Sequence, residues 1–227
     1  MSILTLNDVS YKYEGTSKNV LKNLSVSFEA GKVYSIIGKS GAGKSTLLSL
    51  ISGLDICSKG IITYKGINIK ELNRDDYRAK NVGVIFQGFN LLLNLTGIEN
   101  IVLSMNISKS KEKTKKEYAI SLLEKVGIDL ETANRKVLKM SGGEQQRVGI
   151  ARALAHNPDI VIADEPTGNL DAKTEDDILK ILKSLAHNEG KCVIIVTHSE
   201  KISKNTDEII RIDKGQLQVL NKKNLNI

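Results

Sequence analysis

Tryptophan is absent from this 227-residue sequence, proline and cysteine occur twice each, and aromatics make up 4%. Each scarcity excludes something. Cys57 and Cys192 fit neither a disulfide framework nor a zinc cluster. The two prolines leave no proline-rich linker between tethered modules. No apolar run reaches the roughly 18 residues of a membrane-spanning helix, and the start MSILTLNDVS lacks the apolar stretch of a secretory signal. The expectation is a cytosolic chain whose membrane role, if it has one, depends on a partner chain.

What is present is ordinary in amount and uneven in placement. Apolar residues at 41% and charged residues at 26% are average for a soluble protein. The length suits one domain with a substantial core, or one carrying a small inserted lobe. A net charge of +7 attracts polyanions in general. Five lysines, however, crowd into Lys109–Lys116 (KSKEKTKK), opposed there by Glu112 alone. We read that run as a solvated helix face, and nucleic acid is not expected as a partner.

The order of elements is more informative. Residues 2–9 and 24–29 read as strands. VYSIIG (33–38) is a short apolar run followed by a glycine-rich loop and by the helical stretch TLLSLISG, ending at Gly53. Further apolar runs follow at VGVIF (82–86), DIVIAD (159–164) and CVIIVT (192–197), with helix-length segments between the last two. Such runs alternating with helices predict an α/β fold whose parallel sheet is covered on both faces. Between about residues 89 and 139 the pattern becomes polar and lysine-rich, which predicts a helical lobe inserted into a single domain spanning 1–227. The segment EIIRIDKGQLQVL reads as a hairpin turning at Asp213-Lys214-Gly215.

The glycine-rich loop carries the first chemistry. GKSGAGKST, Gly38 to Thr46, holds three glycines, two lysines and three hydroxyl residues in nine positions. Gly38-Lys39-Ser40-Gly41-Ala42-Gly43-Lys44-Ser45 matches the pattern G-x-x-x-x-G-K-[ST] between a strand and a helix, the context that motif requires. Bare backbone can turn its N–H groups around an anion, and the following helix adds its positive end. Lys44 is expected to reach the β- and γ-phosphates of a nucleoside triphosphate. Ser45 is expected to ligate Mg²⁺, with Thr46 as a neighbouring donor.

Hydrolysis needs carboxylates nearby. IVIADEPT supplies two: Asp164 closes an apolar run and Glu165 follows at once. Adjacent residues leaving a strand point different ways, so one can face a metal and the other a nucleophile. Asp164 is expected to hold Mg²⁺ through water, and Glu165 to take the proton of the water attacking the γ-phosphate.

Downstream stands MSGGEQQRVGIARALAHNPDIVIADEPT. Ser141-x-x-Glu144 is a capping box that opens a helix, and two glycines leave N–H groups at its start for an anion. With the loop and the carboxylates, this stretch resembles the ATP-binding cassette (ABC) ATPases from about Leu4 to Leu220, since Ser141-Gly142-Gly143-Glu144-Gln145-Gln146-Arg147 is similar to that family's LSGGQ signature. Met140 stands where leucine is usual, Glu144 where glutamine is, and Gly149 where alanine is. The Glu144 form, with Gly168-Asn169-Leu170-Asp171, is similar to the subgroup of the macrolide exporter MacB and the lipoprotein-releasing ATPases.

The resemblance implies the rest. The fold would be a P-loop NTPase core of RecA type with an N-terminal antiparallel β subdomain and the helical lobe. Gln87 would contact Mg²⁺ and the attacking water, His198 the γ-phosphate, and Tyr13 the adenine, with Tyr11 as the alternative. Asp171 would arrange a dimer contact. Two chains would sandwich two ATP molecules, each site joining one glycine loop to the other chain's Ser141, Gly142, Gly143 and Glu144. Such a homodimer would sit at the cytoplasmic face of the membrane, peripheral through a permease subunit. The cargo by this subgroup would be a lipid, lipoprotein, antibiotic or antimicrobial peptide. The alternative is a regulator like the cell-division ATPase, acting through a membrane partner without cargo. The resemblance also includes soluble cassettes acting on ribosomes or DNA, but the chain lacks the second cassette or inserted coiled coil that would favour them. The groove for the permease is expected at Gln87–Asn100, where Phe89, Leu91, Leu92, Leu93 and Leu95 are more than one face can bury. Leu93-Asn94 stands near a position where the subgroup often has proline.

Overall fold

The β-branched runs of the sequence become the middle of a six-stranded sheet. The computed structural model describes residues 2–168 and 170–220. Strands β3 (Val33–Ile37), β6 (Val82–Ile85), β7 (Ile160–Asp164), β8 (Cys192–Val196) and β9 (Glu208–Asp213) lie parallel in the order β9-β3-β8-β7-β6. The hairpin strand β10 (Gln216–Leu220) pairs antiparallel on β9. Lys214 (φ 48°) and Gly215 (φ 79°) turn that hairpin with two left-handed residues, which suits the twist of the flanking strands. A second, four-stranded antiparallel sheet joins β1 (Ser2–Tyr11), β2 (Leu21–Glu29), β4 (Lys59–Tyr64) and β5 (Ile67–Asn68) in the order β2-β1-β4-β5.

Alternation along the central strands divides the core into two layers. Ile160 and Ile162 face the layer shared with β1, β2 and helix α1 (Lys44–Ile51). Val161 and Ala163 face the layer built by the other helices. The second layer takes in α3 (Gly97–Ile107), α4 (Lys115–Lys125), the short α5 (Leu130–Ala133), α6 (Gly142–Ala153) and α7 (Ala172–His187). Ile101 and Met105 of α3 and Leu122 and Leu123 of α4 thus belong to one buried cluster with Val148 and Ile150 of α6.

One part of the chain differs from the sequence reading. The lysine-rich run is largely the connection between α3 and α4: Lys109 is left-handed (φ 54°), and only Lys115 and Lys116 are helical. Glu112 N–H bonds to Ser110 Oγ, and Thr114 N–H to Glu112 Oε1, so local side chains compete with the helix for this backbone. Residues 54–81 form β4, β5 and the helix α2 (Arg74–Asn81) capped by Asn73.

The topology sets one edge. Ile36 pairs with Val196, Val196 with Asp164, and Ala163 with Ile85, so four parallel strands end level. Chain leaving those ends carries the glycine loop, Gln87, Glu165 and His198, at the rim where open α/β sheets place ligands.

Candidate nucleotide site

The loop after β3 is shaped by three glycines with different reasons. A Cβ at Gly38 would stand 2.4 Å from Ile212 O, and one at Gly43 (φ 110°) would stand 2.7 Å from Leu21 Cδ2. Gly41 (φ 75°) has open space where its Cβ would be, so its backbone is exposed to an incoming ligand. Helix α1 then begins at Lys44 with no side-chain cap and no acidic residue in its first turn. Its leading N–H groups and its positive end are left to an anion. Lys44, buried, donates from Nζ to Gly38 O (2.7 Å) and Lys39 O (3.2 Å).

The two carboxylates have different surroundings. Asp164 is half-buried, and desolvation pushes its carboxyl above the usual range, against the pull of Lys44. Glu165 takes a left-handed φ of 46° while its N–H bonds Val196 O at 2.9 Å. This turn aims its carboxylate at His198: Oε2 accepts the His198 N–H at 3.3 Å, and Oε1 lies 3.4 Å from His198 Nε2. Oε1 is buried and receives no aligned hydrogen bond. An acceptor left open in such a place calls for a donor from a ligand or water.

Tyr13, Ser40, Gly41, Gly43, Lys44, Ser45, Thr46, Gln87, Asp164, Glu165 and His198 line one cleft of about 460 Å³. It shares Tyr13, Ser40 and Gly41 with a second hollow of about 730 Å³, walled also by Lys18, Lys22, Lys39, Ala42 and Lys214. Of the two tyrosines, Tyr13 faces this space: its ring is half exposed and its hydroxyl lies 2.9 Å from Thr46 Oγ1. Strand β1 ends at Tyr11, which is buried and donates to Asp55, so strand alternation does not carry on to Tyr13. The basic rim was not legible in the sequence. Lys214 arrives because the hairpin at Gly215 packs so closely on residue 20 that a Cβ would meet Val20 O at 2.2 Å.

Ser141, Gly142, Gly143, Glu144 and Asp171 do not line that cleft. Ser141 caps α6 through a complete capping box: Glu144 N–H to Ser141 Oγ at 3.3 Å, and Ser141 N–H to Glu144 Oε2 at 2.7 Å. The N–H groups of Gly142 and Gly143 follow at positions without a partner inside a helix. The charge that Glu144 adds is met by Arg135, 3.6 Å away. Met140 is buried in the core, as its apolar neighbours require. Asp171 caps α7, accepting from Lys173 N, Thr174 N and Thr174 Oγ1. Its neighbour Leu170 lies close to Gly142, where a Cβ would approach Leu170 Cδ2 to 3.6 Å, while Gly168 abuts Gln87 Nε2. Asn169 lies outside the described residues. The other histidines take structural bonds: His156 Nε2 pairs with Val82 O while burial lowers its pKa, and His187 pairs with Asp207.

A family described as ABC transporter matches residues 21–168. The chain belongs to this family. It is 44% identical over 219 residues to the ABC transporter ATP-binding protein YclH of Bacillus subtilis, covering 96% of this chain and 97% of that one. It is 39% identical to the lipoprotein-releasing system ATP-binding protein LolD of Francisella tularensis, covering 96% of each. Among solved structures, the dimeric post-hydrolysis state of the ATP-binding cassette MJ0796, bound to ADP and Pi, superposes with a TM-score of 0.85. That match is 34% identical and covers 96% of this chain and 99% of that one. The cassette is an ABC-type ATPase, the ATP-binding subunit of a transporter. Among its described residues, no helix is long and apolar enough to cross a membrane.

Proposed function

We propose that this cassette closes with a second copy around two ATP molecules and drives a separate membrane permease in export. The observation that carries this reading is the division of the site. One cleft holds the loop, both carboxylates, Gln87 and His198, while the open N-terminus of α6 at Ser141–Glu144 lies outside it, ready to complete the cleft of another copy. The dimeric form of MJ0796 supports it.

In this reading the loop N–H groups and Lys44 bind the β- and γ-phosphates, and Tyr13 takes the base. Glu165 accepts the proton of the attacking water, which Gln87 orients, and His198 holds the γ-phosphate while leaning on Glu165. Ser45, Gln87 and Asp164, which line one cleft, would hold a Mg²⁺ ion, which would neutralise charge on the phosphate oxygens. Asp171 keeps the start of α7 rigid beside the contact between copies. Residues 1–227 form one domain in this reading, with the lobe at about 89–139 tilting as the pair closes.

The permease is supported by a 40% identical relative, the macrolide export ATP-binding/permease protein MacB of Mannheimia succiniciproducens; this chain covers 34% of it. LolD, named for lipoprotein release, points the same way. A lipid, lipoprotein, antibiotic or antimicrobial peptide is the proposed cargo, with the cassette peripheral at the cytoplasmic face. Sedimentation of the Glu165→Gln protein tests the pairing. A monomer without nucleotide and a dimer with ATP and Mg²⁺ are expected; one mass under both conditions, well above assay concentrations, overturns the composite site.

A further inference from the structure

The loop that carries Gln87 is held in an unusual shape. Phe89 (φ 58°) and Asn90 (φ 51°) are consecutive left-handed residues. Asparagine tolerates that region, but a bulky phenylalanine does not enter it without support from outside. The support comes from α6. Arg152 Nη2 donates to Phe89 O at 3.1 Å and Nη1 donates to Asn90 O. A guanidinium fork matches two neighbouring carbonyls in a way no single-point donor can. Among the described residues no carboxylate pairs with Arg152, so this loop is its counterpart.

The same helix turns an unusual face to Phe89. A Cβ at Gly142 would lie 3.9 Å from Phe89 Cζ, and one at Gly149 would lie 3.8 Å from Phe89 O. Gln146, four residues after the first and three before the second, shares that face. It is fully buried, and both its Oε1 and its Nε2 lack a hydrogen-bond partner. An amide orphaned at both ends destabilises the fold unless another arrangement satisfies it.

We propose that Arg152 and Gln146 are positioning residues for Gln87. Arg152 holds the Phe89–Asn90 turn in its strained form, and the Gln146 amide receives the turn's backbone when Gln87 advances to the attacking water. The loop then has two discrete positions, each with its own partner on one rigid helix. The inference rests on the role proposed above for Gln87.

The test uses the full chain and measures kcat, KM for ATP and melting temperature. Arg152→Met keeps the apolar stem and removes the fork: kcat is expected to fall about tenfold or more with KM within about twofold, because the reacting groups are misplaced while the phosphate cradle stays intact. Arg152→Lys, with one donor centre, restores part of kcat and carries the test should Arg152→Met not fold. Gln146→Leu removes the orphaned amide, so its melting temperature is expected to rise by about 2–4 °C while kcat falls. With a glutamine kept only for core packing, the fold would be stabilised by this change without loss of kcat. The proposal is overturned if Gln146→Leu is stabilised with full kcat, if it is destabilised, or if both Arg152 variants turn over normally. Gln87→Ala separates the two levels. Full activity in that variant removes the role of Gln87 itself, whereas impaired activity there with normal Arg152 and Gln146 variants removes only the positioning.

Discussion

Glu165 accepts the His198 backbone N–H on Oε2 at 3.3 Å, while its Oε1 stands 3.4 Å from His198 Nε2 without an aligned hydrogen bond. In the mechanism proposed above, a base that also touches the residue assigned to the γ-phosphate would tie proton removal to phosphate contact. Glu165→Gln keeps the shape and an acceptor for the His198 N–H, but not the basicity. ATP binding is expected to persist while steady-state turnover falls by about 10²–10⁴-fold. Lys44→Ala is expected to behave in the opposite sense. Its charge-assisted bonds to phosphate are lost, and affinity for ATP falls by about tenfold to a hundredfold in equilibrium binding. Vigorous hydrolysis by the first variant, or wild-type affinity in the second, contradicts the assigned roles.

Gly149 costs α6 helix propensity and receives no steric reason for it. A Cβ there meets Phe89 O at 3.8 Å, an ordinary contact, and the residue has no left-handed φ. Gly149→Ala is therefore expected to stabilise the fold by roughly 0.5–1 kcal/mol in denaturant unfolding. A loss of stability would mean that the carbonyl of Phe89 needs to come closer than it does here.

The parts legible in the sequence are those fixed by local chemistry. The loop from Gly38 to Thr46, the end of β7 at Asp164 and the box Ser141–Glu144 each announce themselves within ten residues, because phosphate cradles, strand ends and caps are local structures. The hairpin at Lys214-Gly215 was legible for the same reason. The rest depends on contacts between distant segments. Strand β4 shows no clean alternation because Ile61 is exposed on the face opposite buried Ile62, and its register comes from β1. Arg152 looks like any late-helix arginine until the fold brings Phe89 and Asn90 beneath it. Lys109–Lys116 misled because charge run and helix propensity agreed, while Ser110, Glu112 and Thr114 bonded locally.

The apolar stretch at the entry to the lobe splits into two sets. Leu91 is buried at 9% exposure and Phe89 packs on the core, whereas Leu92 and Leu93 stand 51% and 47% exposed, beside Leu138 at 64%. The loop shape is fixed without a proline. The buried Asn100 amide accepts from Leu92 N and donates to Leu92 O and Thr96 O, and Leu138 N–H bonds Leu93 O at 3.0 Å. Polar substitutions at Leu92 or Leu93 are expected to leave folding and ATP binding unchanged while weakening co-purification with the membrane subunit and its stimulation of hydrolysis. Leu91→Ala is expected to cost about 2–5 kcal/mol of stability instead. Normal coupling in the Leu92 and Leu93 variants would place the permease groove elsewhere.

The last prediction separates stability from function at Asp164. Burial raises its carboxyl above the ordinary 3.8, and the favourable charge of Lys44 does not fully offset that burial. A raised folded value means that the folded state binds the proton more tightly than the unfolded chain does. The ionised group therefore destabilises the fold at neutral pH, and the penalty disappears as pH falls through the raised value towards 3.8. Asp164→Asn has the same shape and no charge to desolvate. It is expected to be more stable than wild type at pH 7.5 in denaturant unfolding, with the gap narrowing steadily as the pH is lowered. Its ATPase activity is expected to fall, since the carboxylate proposed to hold the metal is gone. A variant less stable than wild type at neutral pH would show that Lys44 stabilises the ionised form more than burial opposes it, and the carboxylate would then be a structural partner of the loop.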